Sequence, residues 1–177
     1  MKITIVTGSN RKDASSTQLS RYIGRVLEES GCEVTLFDLY ERPLPFYSPD
    51  TAGGDANLAA FRKALNEAEG IVLSTPEYHG SLSGVLKNAL DWVGFDQFDG
   101  KVTLSVSSAG GAVGVSSLQQ LQTIVRNVHG INCPEWISVG GSQRDFAADG
   151  EPADGKTRER VLRTVQYFVG MVERFKK

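Results

Sequence analysis

Apolar residues recur along this chain in two alternating rhythms. Residues 2–7 (KITIVT) are a short, mostly apolar run. Leu19, Tyr22, Ile23, Val26 and Leu27 then follow helical spacing, with Gly31 where a C-terminal cap belongs. The alternation returns four more times. Runs at 34–39, 71–74, 101–107 and 136–139 read as strands. Leu58, Phe61, Leu65 and Ala68 mark a second helix, and Val85, Leu86, Ala89, Leu90 and Val93 a third. Leu118, Leu121, Val125 and Val128 mark a fourth, and Val161, Leu162, Val165, Phe168, Val169 and Val172 a fifth. Five strand–helix units predict an α/β fold, a parallel sheet with helices on both faces. No repeat or linker interrupts the pattern, so one domain is expected over residues 1–177.

At this length the five-stranded order 2-1-3-4-5 is expected. The longer six-stranded alternative opens with G-x-G-x-x-G, where this chain has GSNRKDASS. The first and third runs are the most apolar, while the second and fifth alternate or are short, as edges do. In this order the carboxyl ends of strands 1, 3 and 4 border one crevice.

Composition removes several classes of function. Hydrophobic residues make up 40% and charged residues 23%, the proportions of an ordinary soluble protein. A formal charge of -2 argues against a nucleic-acid binder. No apolar run approaches the ~18 residues of a membrane span, and MKITIV lacks the features of a secretory signal. Cys32 and Cys133 read as reduced packing thiols, so the expected compartment is the cytoplasm. The two histidines have no metal-ligand spacing.

Three loops carry the candidate chemistry. The first, residues 7–18, holds Gly8, Ser9, Asn10, Arg11, Ser15, Ser16 and Thr17 where a helix begins. Free amides, hydroxyls and a guanidinium suit one phosphate, and no G-K-[ST] is present for a triphosphate. Ser15-x-x-Gln18 also reads as an ordinary capping box with Arg11 solvated, and both readings stand at this point. In the second loop, residues 74–84, Pro76 should turn the chain out of the sheet. Glu77, Tyr78 and His79 then offer backbone groups and an aromatic ring to the crevice, or form a plain exposed turn. The absence of G-x-S-x-G argues against a serine hydrolase. The third loop, residues 107–117, carries Gly110, Gly111 and Gly114, which let a ligand surface approach closely. A phosphate pocket facing a flat-ring pocket describes FMN, with no second phosphate site for FAD.

The stretches GSNRKDASS, TPEYHGSLSGVLKNALDW and SSAGG resemble the NAD(P)H-dependent FMN reductases of flavodoxin-like fold, which include azo, quinone and chromate reductases. The resemblance runs from residue 2 to about residue 140. It implies FMN-phosphate binding at Ser9, Arg11, Ser15, Ser16 and Thr17. It implies the flavin edge against Pro76, Glu77, Tyr78, His79, Gly80 and Ser81, with Ser108, Ala109, Gly110 and Gly111 opposite. Many relatives carry Asn where His79 stands. It also implies NADPH or NADH as hydride donor, a small-molecule electron acceptor, ping-pong turnover and no protein acid or base. A flavodoxin-type electron carrier is the alternative, though carriers tend to be strongly acidic and the T-G-N-T phosphate loop is absent. Members are usually homodimers or homotetramers, with the loop after the second strand near the interface. Here that loop, YERPLPFYSPDTAGG, is long and apolar enough to ask for a partner subunit's cover, with Trp92 in the same contact or simply in the core.

Overall fold

A computed structural model describes residues 1–51, 54–148 and 150–176. Parts of the loops at 40–54 and 141–156 (Ala52, Gly53 and Asp149) lie outside the described residues. The chain runs β1 (Lys2–Thr7), α1 (Ser15–Glu29), β2 (Glu33–Asp38), α2 (Ala56–Glu67), β3 (Gly70–Tyr78), β4 (Ser81–Leu82), α3 (Gly84–Asp91), α4 (Phe95–Phe98), β5 (Val102–Ala109), α5 (Val115–Asn127), β6 (Ile131–Asn132), β7 (Ile137–Gly140) and α6 (Gly155–Phe175).

The parallel sheet follows the order β2-β1-β3-β5-β6, with β7 also on β5 and β4 returning antiparallel on β3. This corrects the expected count of five strands to seven. The fifth position is shared by β6, which pairs with Val102 and Thr103, and β7, which pairs with residues 106–109. Pro134 lies between them, where a residue without an N–H interrupts a ladder. The third strand also runs on through Pro76 to Tyr78 instead of turning out at Thr75. The last pair between β1 and β3 is Thr7–Ser74, so beyond it one edge of β3 has no neighbour needing a donor.

Alternation along the strands splits the core in two. Ile3, Ile5, Val72, Leu104 and Val106 face α1 and α6, where they meet Leu19, Ile23, Val161 and Phe168. Val6, Ile71 and Leu73 face Leu58, Phe61, Leu86, Trp92 and Leu121 on the other side. Both faces are therefore dry, as a parallel sheet requires. Cys32 and Cys133 are buried free thiols, and burial pushes both above the ordinary thiol range. No helix among the described residues is long and apolar enough to cross a membrane.

Towards the carboxyl ends of the strands this aliphatic interior gives way to hydroxyls. Thr7, Ser9, Ser74, Thr75, Ser107, Ser108 and Ser138 are all buried there. Buried hydroxyls need partners; among the described residues all of these but Thr7 find one, and those partners define the site.

Candidate functional site

The first loop leaves β1 by a tight turn. Gly8 N–H donates to Ser74 O at 2.7 Å, and the Ser83 hydroxyl donates to Gly8 O. A Cβ on Gly8 would stand 2.7 Å from Leu86 Cβ and 2.8 Å from Ser74 O, so the turn admits only glycine. Ser9 is fully buried, its Oγ accepting the Arg11 N–H at 3.1 Å, while Arg11 itself is exposed.

Helix α1 begins without a cap. The preceding residue, Ala14, has no side-chain acceptor. The capping box is not formed: Gln18 Nε2 donates to Asp13 O at 2.9 Å, and Ser15 Oγ pairs with Ser108 Oγ at 2.8 Å. The N–H groups of Ser15, Ser16 and Thr17 have no acceptor among the described residues. The Ser16 and Thr17 hydroxyls are out of contact with water and also lack partners among the described residues. A helix N-terminus with free amides carries partial positive charge.

The second loop is a hairpin. Tyr78 pairs with Ser81 across His79 (φ 53°) and Gly80 (φ 72°). Two positive φ values are the mark of a type I′ turn, where Asn or Gly suits the first position better than His. Thr75 Oγ1 accepts the Ser83 N–H at 2.9 Å and donates to Pro76 O at 2.8 Å, fastening the base of the hairpin. The Glu77 carboxylate accepts the Ser117 N–H at 2.9 Å, capping α5. One of its oxygens is therefore engaged in joining two loops.

The third loop follows β5. Ser107 Oγ donates to Gly114 O at 2.8 Å, and Gly114 N–H donates to Ser138 Oγ at 2.9 Å. Pro76 lies in register with Ser108, so the second and third loops leave the sheet side by side. A Cβ on Gly114 would fall 2.7 Å from Ser107 Oγ, which fixes glycine there for packing. Gly110 and Gly111 differ: a Cβ on either enters open space, and neither has a positive φ.

The three expected strand ends are thus bonded to one another, through Ser83–Gly8, Ser15–Ser108 and Glu77–Ser117. Beside them a cavity of about 460 Å³ opens between Asn10, Tyr78 and Val85 on one side and Leu39, Leu44 and Phe46 on the other. Its wall includes neither residues 15–17 nor residues 108–111. His79 is exposed at the turn, and the Ser81 hydroxyl turns towards Gln120.

The long loop after β2 is firmly held. Pro45 O accepts Asn88 Nδ2 and Trp92 Nε1, each at 2.9 Å, and Tyr47 N–H donates to Asn88 Oδ1 at 2.8 Å. Trp92 is buried in its own chain and meets the Tyr47 ring edge-on at 5.1 Å. Between these anchors Phe46 is 90% exposed at the lip of the cavity.

The sequence reading missed Ser83, Ser117, Gln120 and Ser138. Ser83 had a signal, since Ser-x-x-Leu before an apolar run is an N-cap pattern, and its Oγ accepts the Leu86 N–H. The others act across 24 to 40 residues of sequence and left no local mark.

Residues 1–144 match the NADPH-dependent FMN reductase family. An FMN-dependent NADPH-azoreductase from Staphylococcus saprophyticus is 37% identical over 146 residues, covering 78% of this chain and 77% of the relative. Among solved structures, the flavoenzyme NAD(P)H:acceptor oxidoreductase FerB from Paracoccus denitrificans superposes with a TM-score of 0.83 at 24% identity, covering 99% of both chains. An archaeal flavodoxin superposes with a TM-score of 0.70 at 14% identity, covering 98% of this chain and 99% of its own, a likeness of fold alone. The fold is flavodoxin-like, and the chain belongs to the NADPH-dependent FMN reductase family. It is an NAD(P)H-dependent FMN oxidoreductase.

Proposed function

We propose that the crevice binds FMN with its phosphate at the start of α1 and its ring between the Pro76–Ser81 hairpin and the 108–111 loop. The observation that carries this reading is the bare N-terminus of α1: three free amides beside two buried hydroxyls without partners. An unmatched buried hydroxyl costs about 1–3 kcal/mol, and a phosphate oxygen is the acceptor such a cluster fits. In this reading Ser9, Arg11, Ser15, Ser16 and Thr17 belong to the phosphate side. The open space at Gly110 and Gly111 supports a ring surface held close to that backbone.

When bound, FMN accepts hydride from a nicotinamide and passes the electrons to a second substrate. The protein's own task is placement. The backbone of residues 76–81 meets the ring edge, and the glycine loop lies opposite. No side chain of the three loops is assigned a proton. Both substrates use the one open face, so turnover is ping-pong. The open ring face is where a planar acceptor would stack, which extends to this chain the azo substrates named for its relative.

In this reading the protein is a single cytoplasmic domain that pairs with a second copy. A pinned loop holding one bare phenyl ring beside an apolar hollow is self-complementary under two-fold symmetry, each ring entering the other copy's hollow. Phe46→Ser should weaken self-association at least tenfold in analytical ultracentrifugation, since burying a phenylalanine side chain is worth about 1.5–3 kcal/mol. A wild type that stays monomeric at micromolar concentration refutes the pairing.

The function is tested by the visible spectrum of the protein reconstituted with FMN, before and after anaerobic NADPH. Flavin bands that travel with the protein and bleach on NADPH are expected. Bands that survive NADPH and NADH but bleach with dithionite would assign an electron carrier.

A further inference from the structure

The hairpin that carries Pro76 to Ser81 has little means of holding itself. Strand β4 is two residues long, and isolated two-stranded hairpins are marginal in water. His79 also sits in the left-handed region, which disfavours an L residue. Tyr78, His79 and Gly80 are exposed, so no core packing fixes them.

Helix α5 supplies the restraint. Its Ser117 N–H donates to the Glu77 carboxylate at 2.9 Å, holding the strand that enters the turn. Three residues on, Gln120 holds the turn itself and the strand that leaves it. Its Nε2 donates to Gly80 O at 3.2 Å, and its Oε1 accepts the Ser81 hydroxyl at 2.6 Å. A carbonyl can only accept, so the amide nitrogen must face Gly80, and the orientation follows from the bonding. Positions 117 and 120 share a helix face, so the two contacts act together. The same helix starts where the glycine-rich loop ends, with Gly114 O accepting the Ser117 hydroxyl at 3.1 Å.

We propose that Gln120 is a positioning residue for the flavin: it sets the turn at Tyr78–Ser81 against the glycine-rich loop, and so shapes the ring-binding edge without touching the ring. The proposal rests on the FMN reading above. Its mark is selectivity for the ring half of the ligand. A loosened hairpin weakens riboflavin and FMN alike, because the phosphate end is built from α1.

The test compares wild type, Gln120→Ala and Gln120→Glu in FMN and riboflavin titrations, in amide hydrogen exchange over residues 77–82, and in thermal melting without flavin. Gln120→Ala should weaken both flavins by the same factor, about three- to tenfold for solvent-exposed hydrogen bonds. It should also speed exchange in the hairpin and leave the melting temperature unchanged. Gln120→Glu keeps an acceptor for Ser81 but sets a carboxylate oxygen against the Gly80 carbonyl in place of the donor, so it should weaken both flavins at least as much as Gln120→Ala. A wild type that binds flavin beside a Gln120→Ala variant of equal affinity overturns the positioning role alone. A loss confined to FMN does the same, because it assigns the effect to the phosphate side. A wild type that binds neither flavin overturns the FMN reading, and the positioning role falls with it.

Discussion

Replacing Ser16 with Ala and Thr17 with Val is expected to cost the protein most of its FMN affinity while leaving the flavin-free fold as stable as before, or more stable. Both hydroxyls are shielded from water and neither has a partner among the described residues. Removing a buried polar atom that bonds nothing relieves a desolvation penalty, so the apo protein loses no interaction. With a phosphate at the helix start each hydroxyl becomes a charge-assisted donor, worth roughly 1.5–3 kcal/mol. The double variant should therefore bind FMN on the order of a hundredfold or more weaker. Riboflavin, which lacks the phosphate, should bind both proteins equally. Fluorescence titration with the two flavins, together with a thermal melt, reads every part of this. Unchanged FMN affinity would remove the phosphate from α1. A marked drop in apo stability would show the hydroxyls to be structural. An activity gained at the expense of stability is what residues kept for a ligand should display.

The same loop shows where reading the sequence succeeds and where it stops. Helical spacing placed α1, α2, α3, α5 and α6, because each buries a stripe of its own neighbours. The three strand ends were also legible, since Gly8, Pro76 and Gly110 to Gly114 break local pattern visibly. Whether Ser15 capped its own helix was not. A capping box and a phosphate loop share the same letters, and what draws the Ser15 hydroxyl away from its own helix is Ser108, 93 residues away. Pro76 misled for a related reason. Its effect depends on whether the neighbouring strand has ended, and β1 ends at Thr7 opposite Ser74. Glu77 belongs to the candidate site, yet its carboxylate is held by an amide 40 residues on. Gln120 stands on an exposed helix face where any polar residue would satisfy the pattern.

Gly140→Ala should be the most damaging of the single substitutions, for a reason the backbone angles do not show. Gly140 has φ -151° and ψ 163°, extended geometry open to any residue. A Cβ there, however, would lie 2.2 Å from Gly111 O and 2.4 Å from Ala112 O, both of them backbone. Neither can rotate away, so the end of β7 or the whole 110–113 turn must move. That movement strains the Gly114–Ser138 hydrogen bond, which ties the same two segments. Overpacking of this kind costs about 3 kcal/mol, or a fall of roughly 6–12 °C in melting temperature for a chain of this size. Gly110→Ala and Gly111→Ala make the matching contrast. Their added methyl groups point into open space, so the apo fold should melt unchanged while flavin binding weakens. If all three variants melt alike and bind FMN alike, the loop is a plain turn. If only Gly140→Ala unfolds while the other two only lose flavin, the glycines divide cleanly. One is there because the protein fills the space beside it, and two because the protein leaves that space open.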